Sequence, residues 1–168
     1  MKNLYKTIIS ILSIVLIFSI LTYSPANAKQ QAPTDEEIEK AKLFAAESLI
    51  VNDNGTYTIN KESALEIYSQ VEIENIEKTF NQLDKQTIAG LKAQFGQNQD
   101  ITPFFAPAIP IVAMSVWELL AWLGTIGASS LAAAFAKDLY KHGAVSACKK
   151  YANKNKYLKS WCESNDYL

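Results

Sequence analysis

Arginine is missing altogether from the 168 residues, and histidine occurs only once, as His142. Without arginine, the chain has no side chain that grips a phosphate or a carboxylate with two parallel hydrogen bonds. One histidine excludes His-rich metal sites. No nucleophile elbow, phosphate-binding loop or Ser–His–acid order is present either. We therefore predict no catalytic residue, no metal, no cofactor and no nucleic-acid partner, and we expect that the protein is not an enzyme.

Charge is almost absent from residues 101–136, where Glu118 is the one charged side chain. Prolines at 103, 107 and 110 lead into the most apolar part of this stretch. So large an apolar surface must be covered by the rest of the chain, by a partner or by a lipid bilayer. Residues 110–130 are long enough for one membrane span, but Glu118 near the middle would cost about 2.5–3.5 kcal/mol. A helical hairpin with arms 111–123 and 129–142 fits better.

The remaining charge is divided unevenly along the chain. Residues 29–100 carry thirteen acidic side chains against seven lysines, a net charge of −6, whereas residues 101–168 carry four against seven, a net of +3. Such a division indicates that one part restrains or solubilises the other. The alternative, in which both parts are ordinary solvated faces of one globule, stays open.

The first 28 residues have the layout of a secretory signal peptide. Lys2 and Lys6 precede an apolar run of about 14 residues, and the small residues Ala26 and Ala28 stand where a signal peptidase cleaves. An uncleaved membrane anchor fits less well, because a span needs about 20 apolar residues. We expect export and cleavage after Ala28, which leaves an acidic region (residues 29–100) and a C-terminal region (residues 101–168).

The acidic region is predicted to be small and helical. Thr34 and Glu37 form a capping box that opens the apolar run 38–51. A turn signal at residues 52–55 and an alternating segment at 56–59 allow a short β-ribbon with residues 49–51. Asn60 can cap a second helix, and a longer helical stripe extends from Ile73 to Phe95. About 70 residues are marginal for stability without a partner surface, which the apolar stretch downstream could supply.

The two cysteines, Cys148 and Cys162, can form only one intramolecular disulfide. An exported protein meets an oxidising environment that permits this bond. In a straight helix the two residues would lie about 21 Å apart, but a disulfide requires roughly 7 Å or less. The chain must therefore fold back between them, and we predict the bend at residues 153–156.

Lysines and aromatic residues alternate after Gly143, as in segments that bind anionic lipid headgroups. Solvated helix faces have the same pattern, and this alternative stays open. If the C-terminal region acts on membranes, its lipid contacts are expected at Trp117, Trp122, Phe135, Lys149, Lys150 and Trp161.

The arrangement of signal peptide, charged helical region and apolar cysteine-containing region resembles the secreted bacteriocin precursors of Gram-positive bacteria, of the closticin-like and sporulation-delaying-toxin-like kinds. The resemblance covers the whole chain in layout, with Cys148 and Cys162 placed later than in those proteins. It implies an antimicrobial peptide that acts on an anionic lipid bilayer, released by a maturing protease and matched by a cognate immunity protein. Two alternatives are a secreted all-helical interaction or immunity-type protein and a membrane-anchored surface protein.

Overall fold

The computed structural model of the protein describes residues 33–96 and 114–168. Within them the fold is mainly helical, with one two-stranded antiparallel sheet, as predicted. The proposed signal segment with Ala26 and Ala28, and the three prolines of the apolar stretch, lie outside the described residues. The elements are α1 (Asp35–Leu43), a π-helical turn (Phe44–Ser48), β1 (Leu49–Val51), β2 (Tyr57–Ile59), α2 (Lys61–Ile67), α3 (Gln70–Asn81), α4 (Lys85–Phe95), α5 (Val116–Thr125), α6 (Ser129–His142), α7 (Ala144–Tyr151), a 3-10 turn (Ala152–Lys154) and α8 (Lys156–Ser164).

The capping box at the start of α1 is confirmed. Thr34 Oγ1 accepts a hydrogen bond from the backbone N–H of Glu37 (3.2 Å), and Glu37 Oε2 accepts one from the backbone N–H of Thr34 (2.7 Å). The apolar run 38–51 does not remain helical to its end. It passes through the π-helical turn into β1, because β-branched residues such as Ile50 and Val51 favour a half-buried strand. In β1, Leu49 and Val51 are buried and Ile50 is exposed.

The β-ribbon forms as the sequence allows. β1 pairs with β2 in antiparallel register, with Leu49 opposite Ile59 and Val51 opposite Tyr57. The turn between the strands contains Gly55 at φ 76°, a conformation that glycine adopts without steric cost. A Cβ there would also lie 1.9 Å from the backbone oxygen of Lys85, so the turn sits directly against the start of α4.

The long helical stripe of the acidic region is two helices rather than one. α3 ends at Asn81, and Asp84 then caps α4 by accepting a hydrogen bond from the backbone N–H of Thr87 (2.8 Å). Asp is a preferred N-cap residue, and this cap begins a separate helix. α4 ends as predicted, at Gly96 with φ 66°.

The helical hairpin of the C-terminal region is confirmed. Its second arm, α6, has the predicted bounds, whereas α5 begins at Val116, and residues 111–113 of the predicted first arm lie outside the described residues. Between the arms, the backbone N–H of Ala128 donates to the carbonyl of Leu123 and that of Gly127 to the carbonyl of Gly124. These two bonds form a Schellman motif, and Gly127 supplies its positive φ of 76°.

Both regions contribute to a single hydrophobic core. α5 lies at its centre and packs against α1, the π-helical turn and α3 on the acidic side and against α6 on the other. α6 in turn packs on α3, α4 and α7. The boundary between residues 29–100 and 101–168, drawn from charge, therefore divides the sequence but not the core.

Candidate functional site

Glu118, the one charge in the apolar stretch, closes the first turn of α5. Its Oε2 accepts a hydrogen bond from the backbone N–H of Ser115 (2.9 Å), and Ser115 Oγ accepts one from the backbone N–H of Glu118 (3.3 Å). This capping box satisfies two backbone donors and puts negative charge at the positive end of the helix dipole. Glu118, which would be unfavourable in a membrane span, therefore stabilises the first turn of a helix in the protein core.

α5 is buried on nearly every face. Each side chain from Leu119 to Leu123 is at most 2% exposed, and so are Val116 and Trp117. A helix that is apolar all round must be covered all round. In this chain, α1 and α3 of the acidic region supply much of that cover.

α3 and α5 approach each other closely where the two regions meet. A Cβ on Gly124 would stand 3.0 Å from Cα of Ile76 and 2.9 Å from Oγ1 of Thr79, so a larger residue there would force a neighbour to shift. Nearby, the rings of Phe80 and Trp117 stack at 6.3 Å with an interplanar angle of 19°. The sequence alone does not identify α3 as the element that packs against Gly124. Gly124 inside an apolar helix was the available signal, since an internal glycine often marks a close approach of two backbones.

Two hydrogen bonds also join the regions. The indole N–H of Trp117 donates to the backbone carbonyl of Gly96 (2.6 Å), and the hydroxyl of Ser129 donates to the backbone carbonyl of Asn75 (3.0 Å). Gly96 and Asn75 are, respectively, the C-cap of α4 and a residue of α3. A buried hydrogen bond contributes roughly 1 kcal/mol and also fixes the relative orientation of the groups it joins.

A second aromatic cluster ties the C-terminal region together. The ring of Phe135 makes edge-to-face contacts with Tyr151 (5.9 Å) and Trp161 (5.7 Å), and Trp122 makes one with Tyr157 (5.0 Å). Such pairs contribute about 0.5–1.5 kcal/mol beyond the burial of their area. Trp161 also donates its indole N–H to the backbone carbonyl of Met114 (2.9 Å), which links α8 to the entry of α5.

The structure divides the six residues expected to contact lipid into two groups. Trp117, Trp122, Phe135 and Trp161 are at most 2% exposed, so the chain as it is folded does not offer them to a bilayer. The reason is that burial in a protein core stabilises a large aromatic side chain as well as burial in lipid does, and in this chain the core encloses these four. Lys149 and Lys150 are exposed.

The lysines of residues 144–168 line the outside of α7, the 3-10 turn and α8. Lys154 lies over the ring of Tyr151 (4.8 Å) and Lys156 over that of Tyr157 (5.1 Å). Lys159 pairs with Glu163 on the surface (3.6 Å). The amino groups are accessible to an anionic surface while their aromatic neighbours stay in the core, which is the pattern of a solvated helix face.

Asp138 is the centre of the main polar cluster of the C-terminal region. It forms an ion pair with Lys150, and its Oδ1 lies 3.4 Å from Nδ1 of His142. The hydrogen bond from Lys150 lowers the pKa of Asp138, with further help from Tyr151. Burial, followed by the neighbouring carboxylate, raises the pKa of Tyr151. The cluster joins α6 to α7 and has the chemistry of a structural ion pair.

The predicted disulfide is present. Cys148 on α7 and Cys162 on α8 are bonded, with their Cα atoms 5.6 Å apart and neither side chain exposed. The chain reverses at the 3-10 turn, and Asn155 caps α8 by accepting hydrogen bonds from the backbone N–H groups of Tyr157 and Leu158. The bend therefore falls within the predicted residues 153–156.

Within residues 33–96 and 114–168, no three His, Cys, Asp or Glu side chains come together as a metal site requires. Over the same residues, no helix combines the length and the apolar character that a bilayer crossing demands.

Comparison with known proteins gives no relative: no protein family, no curated protein and no solved structure matches the chain. What the protein does must therefore be inferred from its own geometry.

Proposed function

We propose that the protein is a secreted precursor of a membrane-active, bacteriocin-like antimicrobial polypeptide, in which the acidic region holds α5 inside a protein core. The observation on which the proposal rests is the composition of α5: an almost wholly apolar helix of the basic region depends for its cover on α1 and α3 of the acidic region. Removal of that cover would return a large apolar surface to water, and such a surface binds lipid readily.

The surface lysines support the same proposal. The side chains of Lys149 on α7, Lys154 in the 3-10 turn and Lys156 on α8 are exposed, and α8 contacts the helix that would be uncovered through Tyr157 and Trp122. Each lysine near an anionic membrane contributes about 1 kcal/mol of attraction. This attraction would bring the apolar helix close to the lipid headgroups. The disulfide keeps α7 and α8 together once the rest of the core is lost.

Activity in this scheme requires a maturing protease that cuts between the acidic and C-terminal regions. The polar residues 97–102 and the prolines after them are the cleavage region that the sequence favours. A producing cell would need a cognate immunity protein once the toxin is free.

A second candidate is a secreted interaction or immunity-type protein that never enters lipid. The observation that favours it is the complete burial of Trp117, Trp122, Phe135 and Trp161 in a core to which both regions contribute. A protein of this kind acts as an intact chain.

Release of a dye from anionic vesicles separates the two candidates. A protease recognition sequence is placed within residues 97–103, and the purified protein is tested before and after cutting. The precursor proposal expects release only by the cut protein. In the uncut chain the acidic region is tethered to α5 at an effective concentration that is typically millimolar, so it covers α5 again whenever the two part. If the uncut chain, the cut protein and the isolated C-terminal fragment all release no dye, membrane lysis is excluded and the interaction protein is favoured.

A further inference from the structure

We infer that residues 33–96 are a tight-binding partner of residues 114–168 and stay bound after the chain between them is cut. This inference rests on the proposed function and adds one step to it, the dissociation of the two chains after cleavage. Cleavage then yields a latent two-chain complex, and contact with an apolar phase such as a lipid bilayer is what separates the chains.

The contacts between the regions have the anatomy of a strong protein–protein interface. Ile76 and Phe80 of α3 are fully buried, and Trp117 of α5 is 1% exposed. Gly124 permits the two helices to approach within backbone contact. Binding energy in protein complexes concentrates in such central aromatic and aliphatic anchors that water cannot reach.

A second contact of the same kind joins α4 to α6. The ring of Tyr140 lies against Gly90, where a Cβ would stand 2.1 Å from Cε2 of the ring. Together with the hydrogen bonds from Trp117 to Gly96 and from Ser129 to Asn75, this contact fixes the register of the interface. Close packing at Gly124 and Gly90, together with the two hydrogen bonds, gives four separate contacts that do not depend on the covalent link.

Cutting the connecting residues 97–113 breaks none of these contacts. Gly96, the residue before the connection, accepts the hydrogen bond from Trp117, and Met114, the first described residue after it, accepts one from Trp161. The residues that flank the connection on both sides are therefore bonded to core side chains, and these bonds do not involve residues 97–113.

Ion pairs do not hold the joint together, despite the opposite net charges of the two regions. Each of the five lysine–carboxylate ion pairs between described residues joins two residues of the same region: three lie within the acidic region and two within the C-terminal region, where the contact of His142 with Asp138 also lies. Salt weakens exposed ion pairs and leaves apolar burial intact. The complex should therefore resist salt and yield to a detergent or a bilayer, which competes for the same apolar surfaces.

The test uses the full exported chain with the engineered cleavage site. The protein is folded, cut completely, and passed over a sizing column in about 0.15 M salt, in about 1 M salt and in a mild non-ionic detergent. We expect one peak of the uncut size in both salts and two peaks in the detergent. Two peaks in plain buffer, or separation by salt alone, would overturn the inference.

Two variants make the test specific to the interface. Gly124→Leu places a side chain against Ile76 and should raise the dissociation constant of the cut complex at least about tenfold. Val145→Leu, on the exposed side of α7, should leave it unchanged. If Gly124→Leu does not fold, Ser129→Ala removes the hydrogen bond to Asn75 and should speed dissociation several-fold. Equal behaviour of Ser129→Ala and Val145→Leu would count against the inference.

The outcomes also distinguish this inference from the proposed function. If the cut chains separate in buffer and the mixture releases dye from vesicles, the precursor proposal stands and the inferred complex is wrong. If the cut chains remain together in buffer but neither they nor the isolated C-terminal fragment, freed of detergent, release dye, the interface stands and membrane lysis is wrong.

Discussion

The indole N–H of Trp117 donates a hydrogen bond of 2.6 Å to the backbone carbonyl of Gly96, which joins the first turn of α5 to the end of α4. The two residues belong to regions of opposite net charge, yet the bond that joins them is neutral. Apolar burial and a few neutral hydrogen bonds of this kind hold the basic region against the acidic one.

Gly124→Ala tests the close crossing of α3 and α5. In an open helix this substitution stabilises by about 0.5–1 kcal/mol, because alanine restricts the unfolded chain. Here the added Cβ would meet Cα of Ile76 at 3.0 Å, so we expect a net loss of about 1–3 kcal/mol in the free energy of unfolding. Denaturant titration of both proteins measures the sign, and a stabilised variant would show that the helices are not in backbone contact.

Ser115→Ala tests the capping box that begins α5. Loss of the hydroxyl leaves a helix N–H without its partner, and we expect about 1 kcal/mol less stability. Ser115→Thr keeps a capping hydroxyl and is the matched control, expected to stay near the wild type. Thermal unfolding of the three proteins measures the effect, and equal midpoints for Ala and Thr would mean that the cap contributes nothing.

Removal of the disulfide tests its part in the core. Cys148→Ala combined with Cys162→Ala should cost about 3 kcal/mol, because the unfolded chain loses a closed loop of about 15 residues. Reduced and alkylated wild type, unfolded in the same denaturant series, provides an independent comparison. A loss below about 0.5 kcal/mol would indicate that packing around Trp161 alone holds α7 to α8.

Acid stability should depend on Asp138. Folding lowers the pKa of this carboxyl, chiefly through Lys150, so its contribution is complete above the unfolded pKa of about 3.9 and is lost as the pH falls through the lowered folded value. Below about pH 4, the melting temperature of Asp138→Asn should therefore fall less steeply with pH than that of the wild type. His142 and Tyr151 are the other titratable groups at this carboxyl and are unchanged in the variant.

Glu163→Gln is the control for that titration. Its ion pair with Lys159 is about half exposed, and such pairs contribute little. Its melting curve against pH should run parallel to the wild type. If Asp138→Asn does the same, the Asp138 cluster has no role in acid stability.

Local signals in the sequence predicted much of this fold. The Thr34 capping box, the glycine at position 96, the hairpin and the disulfide bend all depend on residues close together in the chain. The packing of α5 against α1 and α3 depends on contacts between distant residues, and the apolar pattern indicates only that a cover is needed. For the same reason the sequence does not show whether Trp117, Trp122, Phe135 and Trp161 contact lipid or a protein core, because both environments favour these side chains.

The central claim is that α5 exchanges a protein cover for lipid once the chain is cut, and tryptophan fluorescence tests it most directly. All three tryptophans, Trp117, Trp122 and Trp161, belong to the C-terminal region. The measurement uses anionic vesicles with brominated acyl chains, which quench tryptophan only at close contact. The account predicts strong quenching for the cut protein and little for the uncut chain; emission from the cut protein that brominated lipid leaves unchanged would contradict it.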